Sequence, residues 1–167
     1  FTLVDPPAEG WMVAGGVGLA PFWTLAEALV ARGVTTTLFY GSRKGDELFY
    51  LDFFRTLGVT LVLTTEDGSV GEQGRVIAPL DRALAGRAAS DAVTIYACGP
   101  EGMLEATAHT AAKHGRRCEV SVERIMGCGM GGCYSCIVPM KNPSGGFHHV
   151  RSCIAGPVLD AAQIVWD

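Results

Sequence analysis

Between residues 11 and 122 strand-like and helix-like segments alternate, and this alternation limits the fold more than any other feature of the sequence. Residues 11–14 (WMVA), 34–40 (VTTTLFY), 59–64 (VTLVLT), 92–97 (AVTIYA) and 118–122 (CEVSV) are short apolar, β-branched or aromatic runs, the signature of buried strands. Phe22, Leu25, Ala26, Leu29 and Val30 follow helical spacing, with Pro21 suited to the first turn and Gly33 to the stop. Asp46 is placed to cap a second helix ending near Leu57 and Gly58. A glycine-rich stretch, TEDGSVGEQG, leads to a third helix over 76–85, and Pro100 opens a fourth that Gly115 closes. The pattern predicts an α/β fold, a doubly wound five-stranded parallel sheet of order 3-2-1-4-5. Ligands bind such sheets beyond the carboxyl ends of the strands, where the order reverses. The loops at that point are GGVGLAP (15–21) and CGPEGM (98–103).

After Val122 the alternation stops, and four cysteines follow: Cys128, Cys133, Cys136 and Cys153, in the spacing C-x4-C-x2-C-x16-C. The first three have plant-type [2Fe–2S] spacing. The intervening Gly127, Gly129, Gly131 and Gly132 let a loop wrap a cluster with backbone N–H groups aimed at sulfur. A structural zinc site usually offers paired knuckles, and only one C-x2-C is present, so the spacing favours iron–sulfur over zinc. A Rieske centre needs two histidine ligands in place of two cysteines; His148 and His149 are adjacent and read as hairpin residues. The segments CIVPMK and FHHVRSC flank NPSGG, a turn signal. Pairing Lys141 with Phe147 brings Cys136 and Cys153 together at the open end of a hairpin. A segment of about 45 residues needs such a staple, because small cores rarely stabilise themselves.

Composition narrows the rest. The chain has 167 residues, 49% hydrophobic and 18% charged, with a formal net charge of −4 and no extended basic stretch. Nucleic-acid binding is excluded as the main role. No apolar run approaches the roughly 20 residues of a membrane span. Six cysteines beside a nucleotide-fold pattern point to a reducing, cytoplasmic setting and metal ligation rather than disulfides. The expected organisation is residues 1–10 as a linker from an upstream domain absent here, 11–122 as a pyridine-nucleotide domain, and 123–167 as a small β/loop cluster module.

In the first crevice loop, Gly15, Gly16 and Gly18 keep side chains away from a pyrophosphate, and the helix that follows offers unpaired N–H groups. A plain strand–helix turn is the alternative. Cys98 ends the fourth strand at the same crevice, where it serves either ligand or core. Cys118 reads as core, and His109 and His114 as solvent-facing helix residues. Met126, Met130, Tyr134 and Ile137 would form either an apolar surround for a cluster or simple packing. Arg43 and Lys44 could meet a nucleotide 2′-phosphate, although a solvated turn suits them better.

In this order GGVGLAP, TEDGSVGEQG and YACGPEGML resemble the pyridine-nucleotide domain of the ferredoxin–NADP reductase superfamily. ERIMGCGMGGCYSCIVPMK and VRSCIAGPVLD resemble, within it, the electron-transfer subunits of dihydroorotate dehydrogenase B. The resemblance implies that Gly15, Gly16, Gly18 and Pro21 face NAD(H), and that Gly99 and Pro100 lie beside the nicotinamide with Cys98 as the candidate catalytic residue. It further implies that Cys128, Cys133, Cys136 and Cys153 hold the cluster. Electrons would run from NADH through FAD and the [2Fe–2S] cluster to the FMN of a catalytic subunit in pyrimidine biosynthesis. The flavin would be held mostly by an N-terminal barrel, so these residues alone would not be competent. Two alternatives stay open. One is a reductase subunit of another complex, such as a sulfhydrogenase or a ferredoxin-linked transhydrogenase. The other is a zinc-stabilised binding module.

Overall fold

The computed structural model describes residues 1–166; Asp167, the last residue of the expected cluster module, lies outside them. The strands are β1 (Glu9–Gly15), β2 (Thr36–Ser42), β3 (Thr60–Thr65), β4 (Glu72–Gln73), β5 (Val93–Cys98), β6 (Arg117–Ser121), β7 (Ile137–Lys141), β8 (Phe147–Arg151) and β9 (Val158–Asp160). The helices are α1 (Phe22–Ala31), α2 (Leu51–Thr56), α3 (Ile77–Ala85), α4 (Glu101–Lys113) and the single turn α5 (Ser152–Ala155).

Seven strands form one sheet in the order β4-β3-β2-β1-β5-β6-β9, and β7 and β8 form a separate hairpin. The expected five-stranded arrangement is present as β3-β2-β1-β5-β6, all parallel, and the sheet is two strands wider than expected. Two-residue β4 adds at one edge within the glycine-rich loop. Three-residue β9 adds at the other, antiparallel to β6, with Val120 opposite Leu159. The cysteine-bearing segment therefore returns to the main sheet.

Strand alternation sorts side chains onto two faces. Trp11, Val13, Phe39, Ile95 and Ala97 meet Leu80, Leu84, Leu104 and Ala108 of α3 and α4. Met12, Ala14, Leu38, Tyr40 and Tyr96 meet Phe22, Leu25, Leu29 and Phe54 of α1 and α2. Val138, Leu159, Ala161 and Ile164 of the C-terminal segment extend the first core. Residues 1–4 extend the second. Phe1 stacks on Phe22 with ring centres 5.6 Å apart and meets Tyr96 edge-on at 5.5 Å. The Tyr96 hydroxyl donates to Thr2 O (2.8 Å), and the Thr2 amide donates to the buried Glu119 carboxylate (2.7 Å).

The second helix starts later than expected. Asp46 and Glu47 lie in a 3-10 turn, and α2 opens at Leu51 after Tyr50, a left-handed residue with φ of 58°. Tertiary contact overrides the cap: the buried Tyr40 hydroxyl donates to Glu47 O and accepts from the Phe49 amide, fixing the stretch between. The hairpin has the expected register, Lys141 opposite Phe147 and Ile137 opposite Arg151.

A candidate dinucleotide crevice and a cysteine loop

β1 ends at Gly15, a 3-10 turn covers Gly16–Leu19, and Pro21 precedes α1. β5 ends at Cys98, and Pro100 precedes α4. These two strands are neighbours, so their loops meet above the sheet. The contact is backbone against backbone. A Cβ on Gly18 would lie 2.1 Å from Cys98 O, and one on Gly15 would lie 2.9 Å from Pro100 Cδ. Gly99, at φ of 153°, sits with its Cα hydrogens against Gly15. Gly15, Gly18 and Gly99 are therefore glycines because the loops interlock, a reason that the sequence pattern of either loop alone does not show. Gly16 differs: it has φ of 54°, and a Cβ there would meet nothing within 4 Å, so its backbone faces open space. Of the three glycines in the first loop, it is the one whose surroundings suit close approach of a ligand.

The Cys98 thiol is half-buried. Burial raises its pKa, the Ser121 hydroxyl opposes the shift, and Glu123 adds to it, so the thiol is neutral at pH 7. Next to it a cavity of about 290 Å³ is lined by Gly99, Glu101, Leu104, Val122, Arg124 and Trp166 among others. Arg124 pairs with Glu101 at 2.8 Å across its side. Arg43 is taken by Glu47 at 2.9 Å.

The cysteines group as two pairs. Within the loop, the Cys128 amide donates to Cys133 Sγ (3.3 Å), while the Met130 and Gly132 amides donate to Cys128 Sγ (3.4 and 3.2 Å). Cys133 Sγ lies 3.1 Å from Ser135 Oγ. That hydroxyl, then the Ser135 and Cys128 amides, pull the Cys133 thiol down to about 6. Across the hairpin, the Ser152 amide donates to Cys136 O (2.9 Å), which brings Cys136 beside Cys153. The Cys153 amide and thiol lower Cys136, and its partner Cys153 is raised in turn. The Gly131 amide faces Cys153, and the charge of Cys128 is felt there, so the two pairs adjoin.

Among the described residues no three His, Cys, Asp or Glu side chains converge as a single-ion site. Tetrahedral zinc needs its ligands around one point, whereas two irons bridged by sulfides take two thiolates each. The observed two-and-two grouping, with amides directed at sulfur, fits the second kind of centre. So does the close packing at Gly127, where a Cβ would come 2.8 Å from Cys133 Sγ. Ser152 Oγ, beside Cys136, is buried without a hydrogen-bond partner of normal geometry.

The residues expected around the cysteines divide. Met126, Met130 and Tyr134 are exposed and Ile137 is half-buried, which suits a surface around the loop more than packing within it. Ile125 and Ile154, not singled out by sequence, join that exposed apolar rim. His148 and His149 are exposed on β8, as expected. Cys118 is buried, and burial pushes its thiol up to about 12, as a core residue. His109 is exposed, but His114 is not solvent-facing: its Nε2 lies 2.6 Å from the Asp81 carboxylate, which draws the ring into the α3–α4 groove. No helix is long and apolar enough to cross a membrane among the described residues.

Residues 12–109 match the model of the oxidoreductase NAD-binding domain. The chain belongs to that family. Within this NAD-binding oxidoreductase chain, residues 123–165 match a second model, the iron–sulfur cluster binding domain of dihydroorotate dehydrogenase B. It is 35% identical, over 99% of its length and 61% of the relative's, to the dihydroorotate dehydrogenase B (NAD(+)) electron transfer subunit of Enterococcus faecalis strain OG1RF. It is 37% identical, over 96% of its length, to a probable subunit of the same kind from Archaeoglobus fulgidus, of which it covers 63%. The chain thus spans less than two thirds of the length of these relatives. A solved structure of an NADH-dependent reduced ferredoxin–NADP oxidoreductase superposes with a TM-score of 0.82 at 28% identity, covering 99% of this chain and 56% of that one. The cytochrome b5 reductase domain of Ulva prolifera nitrate reductase shares the fold alone, with a TM-score of 0.54 at 21% identity, covering 64% of this chain and 45% of that one.

Proposed function

We propose that this chain is the nucleotide- and cluster-bearing part of an electron-transfer subunit. It would carry electrons between NADH and the catalytic subunit of a dihydroorotate dehydrogenase, in pyrimidine biosynthesis. The observation that supports this most is the two-and-two grouping of Cys128/Cys133 and Cys136/Cys153 in a loop rich in amide donors, on the same chain as a dinucleotide crevice. The relatives' names supply the choice of partner.

Each part of the chain then has a task. The Gly16 backbone and the start of α1 receive the dinucleotide phosphates. Gly99 and Pro100 would border the nicotinamide, with the Cys98 thiol, kept neutral by burial, at the same crevice. The four cysteines supply the thiolates of a [2Fe–2S] cluster. A nicotinamide gives up two electrons together, whereas a cluster takes one, and a flavin supplies the conversion when bound. FAD is accordingly part of the proposal, with the FMN on the partner. These residues alone would bind NAD(H) and the cluster without steady turnover. The rim of Ile125, Met126, Met130, Tyr134 and Ile154 is the surface through which a partner approaches.

A second reading, a reductase subunit of a ferredoxin-linked NAD(P)H complex, is favoured by the 0.82 superposition. The two are separated by mixing the anaerobically loaded subunit with a cognate dihydroorotate dehydrogenase catalytic subunit and following cluster absorbance. Dihydroorotate-dependent bleaching is the expected result. Bleaching by reduced ferredoxin and none by dihydroorotate would replace the first reading with the second.

A further inference from the structure

Arg151 is the last residue of β8, two positions before Cys153. Its guanidinium Nη1 donates to Gly131 O at 2.5 Å. Its Cζ lies 4.9 Å from the centre of the Tyr134 ring. It therefore grips the cysteine loop at two points: one between Cys128 and Cys133, the other between Cys133 and Cys136. Gly131 is buried at φ of 82°, and a Cβ there would stand 3.0 Å from the Ile154 side chain and 3.5 Å from Arg151 Nη1. Tyr134 is itself in the left-handed region, with φ of 61°. An arginine holds both left-handed residues with one planar, permanently charged group, which lysine does not do equally well. Among the described residues Arg151 forms no ion pair with a carboxylate, unlike Arg124, which pairs with Glu101. A half-buried positive charge, without a carboxylate partner among the described residues, thus sits against the loop that carries three of the four cysteines.

We propose that Arg151 is a positioning residue that both shapes the cysteine loop and sets the reduction potential of the centre it holds. This rests on the [2Fe–2S] reading above. Reduction adds one electron, and so one negative charge, to a centre that already carries the charge of four thiolates. A fixed cation beside it stabilises the reduced form more than the oxidised one and raises the potential. The hydrogen bond to Gly131 O also keeps the neighbouring Gly131 and Gly132 amides turned toward sulfur.

The test is a mediated potentiometric titration of the loaded chain, reduced by dithionite and read by EPR, for wild type, R151Q and R151K. Iron and sulfide are measured on each sample. R151Q with a full cluster is expected to titrate at a more negative midpoint, and R151K to recover most of the difference. A fully loaded R151Q with an unchanged midpoint overturns the proposal. Where R151Q does not load, R151K decides: a loaded cluster near the wild-type midpoint supports the role of the charge. Failure of both variants to load shows that Arg151 serves folding alone and overturns it. A wild-type chain that holds zinc and gives no EPR signal would instead remove the cluster reading itself.

Discussion

Two glycine-rich loops serve opposite purposes in this chain. In the crevice, Gly15, Gly18 and Gly99 are small because two loops interlock over a parallel sheet, and their neighbours are backbone, Met103 and the Pro100 ring. In the cysteine loop, Gly129 has open space where a Cβ would be, and its φ of 66° is what glycine supplies. The first loop is held by a core that includes Met12, Phe22, Leu38 and Tyr96, all completely buried. The second is held by amide–sulfur contacts, by Arg151 and by one buried cysteine, Cys136, while Met130 is 83% and Tyr134 60% exposed. The difference teaches that glycine content alone marks a loop as special without saying why. Where the Cβ position is already occupied, as at Gly18, glycine is a packing residue. Where it is open, as at Gly129, glycine supplies a left-handed backbone.

The comparison breaks most visibly at Cys133. Cys133→Ser should abolish cluster loading and make residues 123–136 protease-sensitive, while leaving the sheet domain folded. Iron content with limited proteolysis reads both, and normal iron would remove Cys133 from the ligand set. Next in size is Gly18→Val. Its side chain collides with the Cys98 carbonyl, an overpacking cost of about 3 kcal/mol. Thermal denaturation should fall by roughly 6–12 °C and NADH binding should weaken, with iron content unchanged. A lost cluster in that variant would show that the loops are not independent. Gly129→Ala should be milder, about 1–2 kcal/mol for a left-handed alanine, and confined to the cysteine loop. Slower cluster loading at an unchanged Tm is the expected signature, and a Tm fall as large as that of Gly18→Val would erase the contrast.

The smallest effect concerns pH. The His114 ring, then Lys113, hold the Asp81 carboxyl below its ordinary value of 3.8. A carboxyl lowered on folding contributes stability that is present above its ordinary value and lost as pH falls through the folded value. Asp81→Asn should therefore slightly flatten the acid limb of the sheet domain's stability curve below about pH 4, without touching iron content. An unchanged acid limb would mean that the contacts of Asp81 with His114 and Lys113 contribute nothing to stability.

Much of this was legible in the chain itself. Buried parallel strands are continuous apolar runs, so β1, β2, β3, β5 and β6 stand out, and their alternation with helices implies the order found. The turn NPSGG fixes the hairpin register from Lys141 and Phe147 to the cysteines, because a two-strand ladder propagates pairing from its turn. What was hidden depends on contacts distant in sequence. β9 is three residues, VLD, with no pattern of its own, and it forms because β6 offers an open edge. The late start of α2 comes from a tyrosine hydroxyl on β2. Gly18 meets a carbonyl 80 positions away, and Arg151 meets Gly131 and Tyr134 only once the hairpin has folded. The cysteine spacing pointed to a candidate ligand set, but not to the amide donors or the cation around it.

The central claim is that Cys128, Cys133, Cys136 and Cys153 hold a two-iron centre as two pairs. Anaerobic preparation with iron, acid-labile sulfide and zinc analysis, followed by EPR after dithionite, tests it most directly. The account predicts about two irons and two sulfides per chain and a rhombic signal of a reduced cysteine-ligated [2Fe–2S] centre. One zinc per chain, no sulfide and no signal would contradict it.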